Sequence, residues 1–346
     1  MAKIELIAKT PFAGSGPRGI DVYARSLADE LWRSRAIGKV LISHDAPSGK
    51  NVNLIHFTFF DLYFHTLPLI KISAPFIVTI HDCIPLRFPT RFPVGKKGKI
   101  NFTLQKLALR RARGVITDSQ ASANDITRFF GIPSSRIHVV PLAPGHKQST
   151  AKLTQTVKKE YSLPDKYILY VGDINWNKNV PGLINAFGQL KDKKTHLVLV
   201  GKAFATNNDI PEYRAIQDAL AKLNQPNRVH ILGFVPGHHL GSLYRLATLY
   251  VQPSWYEGFG LPILESLIQQ TPVLSSNQGS LPEVGGGCVH YFDPNNAGEL
   301  EQQLNRLISN DQLRTKHVES GIAWVKNFTW SKVAKATASV YEKILH

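Results

Sequence analysis

Two carboxylates eight positions apart bracket the segment YEGFGLPILE, residues 256–265. Glu257 precedes Gly258 and Gly260, where backbone amides can face an anion at the start of a helix and the local dipole favours negative charge. Glu265 follows about a turn and a half into that helix. A carboxylate accepts two hydrogen bonds from a vicinal diol, so one acid suits a ribose and the other a hexose. Amide donors between them would hold a diphosphate, which is the layout a nucleotide sugar requires. The same glycines, with Pro262, also serve a plain helix start whose first turn favours acids.

The flanks decide between these readings. LYVQPSW (249–255) has the pattern of a buried strand, and QQTPVLSSNQGSLPEVGGG (269–287) supplies another strand, a turn and a glycine-rich loop. The run from Leu246 to Asp293 resembles the retaining glycosyltransferases of the large family 4 class, which carry an E-x7-E signature at this place. The resemblance extends over nearly the whole chain and is strongest from Tyr167 to Pro294. It implies that Glu257 binds donor hexose hydroxyls and stabilises developing positive charge, that Glu265 holds the ribose diol, and that amides around Phe259, Gly260 and Leu261 meet the diphosphate.

Four further motifs fit this frame. PFAGSGPRGIDVYARSLADEL (11–31) is a glycine-rich loop feeding an amphipathic helix; amides near Gly19 and Ile20 suit a phosphate, and Arg18 adds a charge it would welcome. YILYVGDINWNKNVPGLINAF (167–187) resembles the family's strand, glycine turn and Lys-Asn pair, with Lys178 set to neutralise the leaving diphosphate. The family often places an Arg a few residues before that lysine. Here Asp173 to Asn177 stand instead, so that Asn177 and Trp176, or Arg18 from the first half, must fill the gap. FIVTIHDCIPL (76–86) ends a strand with His81 and Asp82, where ligands of open sheets bind. By resemblance His81 holds the donor sugar and Asp82 faces the acceptor, while Asp118-Ser119 caps the next helix. HILGFVP (230–236) resembles the loop whose main chain at Phe234 and Val235 reads the nucleobase. Base identity is then unwritten in side chains.

The chain of 346 residues is 43% hydrophobic and formally +16. That length and apolar content suit two domains and exclude disorder. Residues 1–150 carry 21 Lys and Arg against 9 Asp and Glu, so the first half meets something anionic. No acid occurs from Cys83 to Thr117, while Arg87, Arg91, Lys96, Lys97, Lys99, Lys106, Arg110, Arg111 and Arg113 all do. On one helix, Lys106, Arg110 and Arg113 would share a face interleaved with Phe102, Leu104 and Leu107. This segment, 87–113, reads as a surface for acidic lipids or as a solvated helix face. Without a helix-turn-helix, zinc finger or aromatic RNP pattern, no nucleic acid is expected. The two cysteines suggest neither a disulfide framework nor a metal site. With no D-x-D sequence, a metal-independent site is expected. No cleavable signal or spanning run is visible, so a cytoplasmic protein is expected, peripheral on the inner face of the cell membrane.

Strand-like and helical runs alternate throughout, which argues for an α/β chain with parallel sheets and crossover helices. In the first half strands are expected near residues 4–8, 40–43, 54–57, 76–80, 114–117 and 137–140, and helices at 19–32, 100–111 and 121–130. Prolines and a glycine after Val140 place the linker near 143–153. The second half repeats the pattern. Two Rossmann-like domains facing across a cleft match the GT-B architecture: residues 1–147 on the acceptor side, 148–328 for the nucleotide sugar, and a last helix, 329–346, crossing back. The expected activity is transfer of a mannose- or glucose-type hexose from a nucleotide sugar to a glycan or lipid-linked acceptor, for surface polysaccharide. The donor is a substrate rather than a cofactor, with GDP-mannose ahead of UDP-glucose. A GT-B-type epimerase and a basic, non-enzymatic nucleic-acid or membrane binder are the alternatives. Glu257→Ala and Lys178→Ala are each expected to lower transfer steeply while leaving folding intact.

Overall fold

The computed structural model describes residues 2–8, 19–35, 37–44, 47, 51–70, 72–145, 147–205, 210–296 and 298–346, with the side chains of 19–21 outside the description. The chain forms two compact units, one of residues 1–143 and 328–346, the other of residues 144–327.

The first unit runs β1 (Lys3–Ile7), α1 (Gly19–Arg33), β2 (Lys39–Ser43), β3 (Leu54–Phe57), β4 (Phe76–Thr79), α2 (Ile84–Arg87), α3 (Lys96–Leu109), β5 (Gly114–Thr117), α4 (Gln120–Phe130) and β6 (Ile137–Val139). Its strands pair in parallel in the order β2-β1-β3-β4-β5-β6. β3, β4 and β5 are buried along their whole length, which is why LIHF, FIVT and GVIT read as unbroken apolar runs rather than as alternations. α4 has matched ends: Ser119 Oγ accepts from the Ser122 amide, and Gly131 closes the helix at φ 70°.

The second unit runs α5 (Ala151–Glu160), β7 (Tyr167–Val171), α6 (Val180–Gly188), β8 (His196–Val200), α7 (Pro211–Ala221), β9 (Val229–Gly233), α8 (Gly237–Leu246), β10 (Leu249–Gln252), α9 (Leu261–Ile268), β11 (Val273–Ser276), α10 (Leu281–Gly285), β12 (His290–Phe292), α11 (Glu299–Ile308) and α12 (Asp311–Val325). The order is β12-β11-β10-β7-β8-β9, again parallel throughout. Because β8 and β9 lie to one side of β7 and the later strands to the other, the order reverses between β7 and β10. Open sheets of this kind bind ligands beyond the strand C-termini at such a reversal.

The last helix, α13 (Trp330–Leu345), packs on α1 in the first unit. Its Tyr341 hydroxyl lies 2.8 Å from His56 Nδ1 at the heart of that sheet, and His56 Nε2 lies 2.7 Å from Thr79 Oγ1. Burial pulls the His56 pKa down to about 3, so the ring is neutral, one nitrogen donating and the other accepting. Among the described residues, no helix is long and apolar enough to cross a membrane.

Several expectations are corrected. α3 begins at Lys96, four residues before Ile100, because Gly95 is extended and the lysines continue the helix; it ends at Leu109. Arg110 is therefore the cap, still at φ −58° and ψ −26°, while Arg113 lies beyond the helix, so the expected shared face does not extend to Arg113. Lys106 Nζ instead donates to the Phe129 carbonyl at 2.7 Å, and Arg111 donates to the carbonyls of Pro68, Leu69 and Ile70. The expected linker ends early, since Thr150 caps α5 by accepting from the Leu153 amide. α2, α10 and β12, all of five residues or fewer, escape the periodicity.

Candidate active site

The second unit's site sits where its strand order reverses. After β7 the chain turns through residues 172–175 into a single 3-10 turn, Trp176–Lys178. Asn179 follows in the left-handed region (φ 52°), donates through Nδ2 to the Pro253 carbonyl at 3.0 Å, and lets α6 start. After β10 the chain passes Ser254 and Trp255 to Glu257. The two loops are tied together: the Trp255 amide donates to the Asn177 carbonyl at 2.7 Å, and Asn177 Nδ2 donates to the Tyr256 carbonyl at 3.1 Å. The indoles of Trp176 and Trp255 lie nearly parallel, 6.2 Å between centroids.

This bracing brings Lys178 and Glu257 together. Lys178 Nζ donates to Glu257 Oε1 at 2.8 Å and Oε2 at 2.9 Å. Oε1 also accepts from Gln252 Nε2 at 2.9 Å and Ser254 Oγ at 2.7 Å. The carboxylate is 8% exposed and the ammonium side chain 23%, so the ion pair is largely out of water. The Glu257 backbone is held as firmly. Its carbonyl accepts from the Ser280 amide and hydroxyl, and Ser280 Oγ lies 2.7 Å from the Phe259 carbonyl. Gly279, at φ 62°, lets the chain pass so close that an added Cβ would stand 2.5 Å from the Glu257 carbonyl oxygen.

Gly260, at φ 111°, precedes α9, and no side chain caps that helix start. Phe259, Gly260 and Leu261 thus lie at an N-terminus suited to an anion. One turn into α9, Glu265 Oε2 accepts from the Tyr244 hydroxyl at 3.0 Å, and burial together with the Glu265 charge raises the Tyr244 pKa. After β9, Phe234 is exposed and Val235 buried, with the Gly233 carbonyl taking the Gly201 amide.

In the first unit, His81 follows β4. His81 Nδ1 donates to Asp118 Oδ2 at 2.7 Å, and Nε2 faces the Thr58 carbonyl at 3.3 Å. Burial alone would lower this pKa, but the Asp118 charge and hydrogen bond outweigh it and the net shift is upward. With acceptors facing both nitrogens, the surroundings of His81 favour its protonated form. Tyr23 meets its ring edge-on at 5.1 Å. Asp118 therefore orients His81, and the capping role falls to Ser119 alone. Among the described residues, Asp118 Oδ1 is buried with no hydrogen-bond partner. Asp82 Oδ1 accepts from the Ile84 amide at 2.9 Å, at the start of α2. Gly19 opens α1, while Arg18, Gly14 and Gly16 lie outside the described residues.

The sequence reading missed Gln252, Ser254 and Ser280, which support Glu257. Their signal was a polar residue at the C-terminal tip of an apolar strand, or next to the glycine of a tight turn. No group of three His, Cys, Asp or Glu among the described residues is arranged to hold a metal.

Comparison with known proteins assigns the chain to a class. The profile described as "Glycosyl transferases group 1" matches residues 154–324, and "Glycosyltransferase Family 4" matches residues 15–143. The O-antigen chain mannosyltransferase B of Escherichia coli is 30% identical over 280 residues, covering 77% of this chain and 70% of that protein. The serotype-specific mannosyltransferase WbdA of Escherichia coli is 27% identical over 333 residues, and this chain spans only 40% of its length. The solved sucrose-phosphate synthase of Thermosynechococcus elongatus superposes with a TM-score of 0.76 at 19% identity, covering 99% of each chain. Anabaena HepE, solved in complex with UDP and glucose, gives 0.73 at 16% identity, covering 99% of this chain and 100% of its own. The chain belongs to the group 1, family 4 glycosyltransferases and has their GT-B fold.

Proposed function

We propose that the chain is a retaining hexosyltransferase that moves mannose from GDP-mannose to a glycan or lipid-linked acceptor in surface polysaccharide synthesis. The observation that carries this reading is the Lys178–Glu257 pair at the reversal between β7 and β10, beside the uncapped start of α9. A departing nucleoside diphosphate needs cation and amide donors, and Lys178 with the amides at Phe259, Gly260 and Leu261 supplies them without a metal. As the ammonium turns to phosphate, Glu257 is released to bind hexose hydroxyls and to stabilise an oxocarbenium-like centre. Glu265 takes the ribose diol. Main chain at Phe234 and Val235 reads the base. Asn177 acts at one remove, by bracing the two loops.

The leaving phosphate assists acceptor deprotonation, so that no side-chain base is required. Mannose leads because the named relatives are mannosyltransferases, while HepE, at lower identity, binds UDP and glucose. The test is a panel of nucleotide sugars with GDP or UDP release as the readout, followed by NMR of the product's anomeric configuration. Turnover of GDP-mannose with retention supports the reading. Inverted product, or interconversion of the sugar without transfer, would refute it.

A further inference from the structure

A cavity of about 470 Å³ lies in the second unit, walled by one face of α6, the end of α7 and the stretch from Phe292 to Glu301 that leads into α11. That volume is in the range of small-ligand sites. Positions 179, 182, 185, 186 and 189 line it, recurring at three and four residues as one side of a helix must. None of Lys178, Glu257, Glu265, Phe234 and Val235 stands in the wall, so the cavity is separate from the proposed donor site. The two share loops, however. Asn179 follows Lys178 directly, and Trp255 stands two residues before Glu257.

The wall specifies the chemistry of a ligand. Among the described residues, five side-chain amides line the cavity, those of Asn185, Gln189 and Asn224 included, with one cation, Lys222, and one anion, Glu301. In a chain of net charge +16, a wall whose charges cancel does not select a nucleotide, a phosphate or an acidic lipid. An amide offers donor and acceptor together, and a hydroxyl is both as well, so several amides suit a ligand made of hydroxyls. Asn185, Gln189 and Asn224 are exposed, and among the described residues no hydrogen bond engages their side chains. Asn179 and Asn296 are held instead, donating through Nδ2 to the Pro253 carbonyl and to Glu299 Oε2. Trp255 adds an indole steadied by the near-parallel ring of Trp176. A flat apolar face beside such polar groups is what the C–H face of a pyranose meets.

We propose that this cavity is a second carbohydrate site, which binds a length of neutral hexose chain apart from the nucleotide sugar. The inference rests on the reading that the acceptor is a glycan, and long acceptors then gain a hold on the second unit that short ones lack. The test is isothermal titration of the full chain, without nucleotide, with mannose, mannobiose, mannotetraose and maltotetraose, together with transfer kinetics on each. Affinity should rise with chain length. Asn185→Ala/Asn224→Ala should weaken binding of the longer sugars by about tenfold or more, and Gln189→Trp should block it by filling the cavity. Both variants alter exposed positions, so thermal melts, affinity for GDP and kcat should match wild type, with KM raised for the longer acceptors alone. Unchanged sugar binding in both variants overturns the proposal. So does a wild type that binds none of the sugars, or a matching loss of affinity for GDP, which would make the cavity part of the donor site. Turnover of GDP-mannose is read separately: its absence beside intact sugar binding would refute the donor assignment and leave this site standing.

Discussion

The ammonium of Lys178 lies within 2.9 Å of both carboxylate oxygens of Glu257, 79 positions away in the chain. The pair joins the loops after β7 and β10, so each residue neutralises the other as well as standing in the proposed donor site. Single replacements are therefore expected to cost stability, where the sequence alone suggested that folding would be left intact.

Lys178→Met should lower donor turnover by roughly a hundredfold or more, the usual loss for one oxyanion donor. It should also cost about 3 kcal/mol of stability, because a buried carboxylate is left without its cation. Glu257→Gln should lose activity comparably. The double variant should be more stable than the sum of the singles predicts, as read by urea melts. Additive melts would remove the claim of a coupled pair.

Gly279→Ala puts a Cβ against the Glu257 carbonyl at a backbone angle that favours glycine. A loss of about 1–3 kcal/mol is expected, together with a fall in kcat as the Glu257 loop shifts. Retained kcat with a full loss of stability would show that the loop position is uncoupled from chemistry.

Glu265→Gln should weaken binding of nucleoside diphosphates with an intact ribose diol and leave the 2′-deoxy analogue little affected. Isothermal titration with GDP and 2′-deoxy-GDP measures this. Equal weakening toward both would place Glu265 elsewhere.

His81 and His56, both in the first unit, should titrate in opposite senses. His81 is raised above 6.5, so its contribution to stability is full below that value and is lost as pH rises through its folded pKa. Asp118→Asn should move its NMR midpoint down, and a wild-type midpoint at or below 6.5 would sink the assignment. His56 is held neutral with a pKa of about 3, so the unfolded chain binds its proton first and stability falls as pH drops from about 6.5 toward 3.

Tyr341→Phe leaves one nitrogen of buried His56 without its partner and should cost about 1–3 kcal/mol. Chemical denaturation would detect that loss, and an unchanged midpoint would mean a water replaces the hydroxyl.

The sequence disclosed β3 and β5 to the residue, because strands buried on both faces leave unbroken apolar runs between turn residues. It located the residues around Glu257 through glycine spacing and acid placement. It did not disclose that Lys178 meets Glu257, since their distance depends on β7 lying beside β10, a property of strand order rather than of any local pattern. Arg111 reads as one more surface base until its guanidinium is seen on three carbonyls. α5 stayed hidden because Ser149 and Thr150 look like linker until the cap is known. The role of Asp118 was misread because its partner, His81, lies 37 positions upstream.

The polypeptide leaves its first unit after residue 143 and returns to it at residue 328, where α13 delivers Tyr341 to His56. On a ribosome, the second unit thus has all its residues before the first does. The half that emerges earliest must wait, lacking its closing helix, until residues 330–345 have been read. An early stop codon anywhere after residue 327 would spare the half made later and damage the half made sooner.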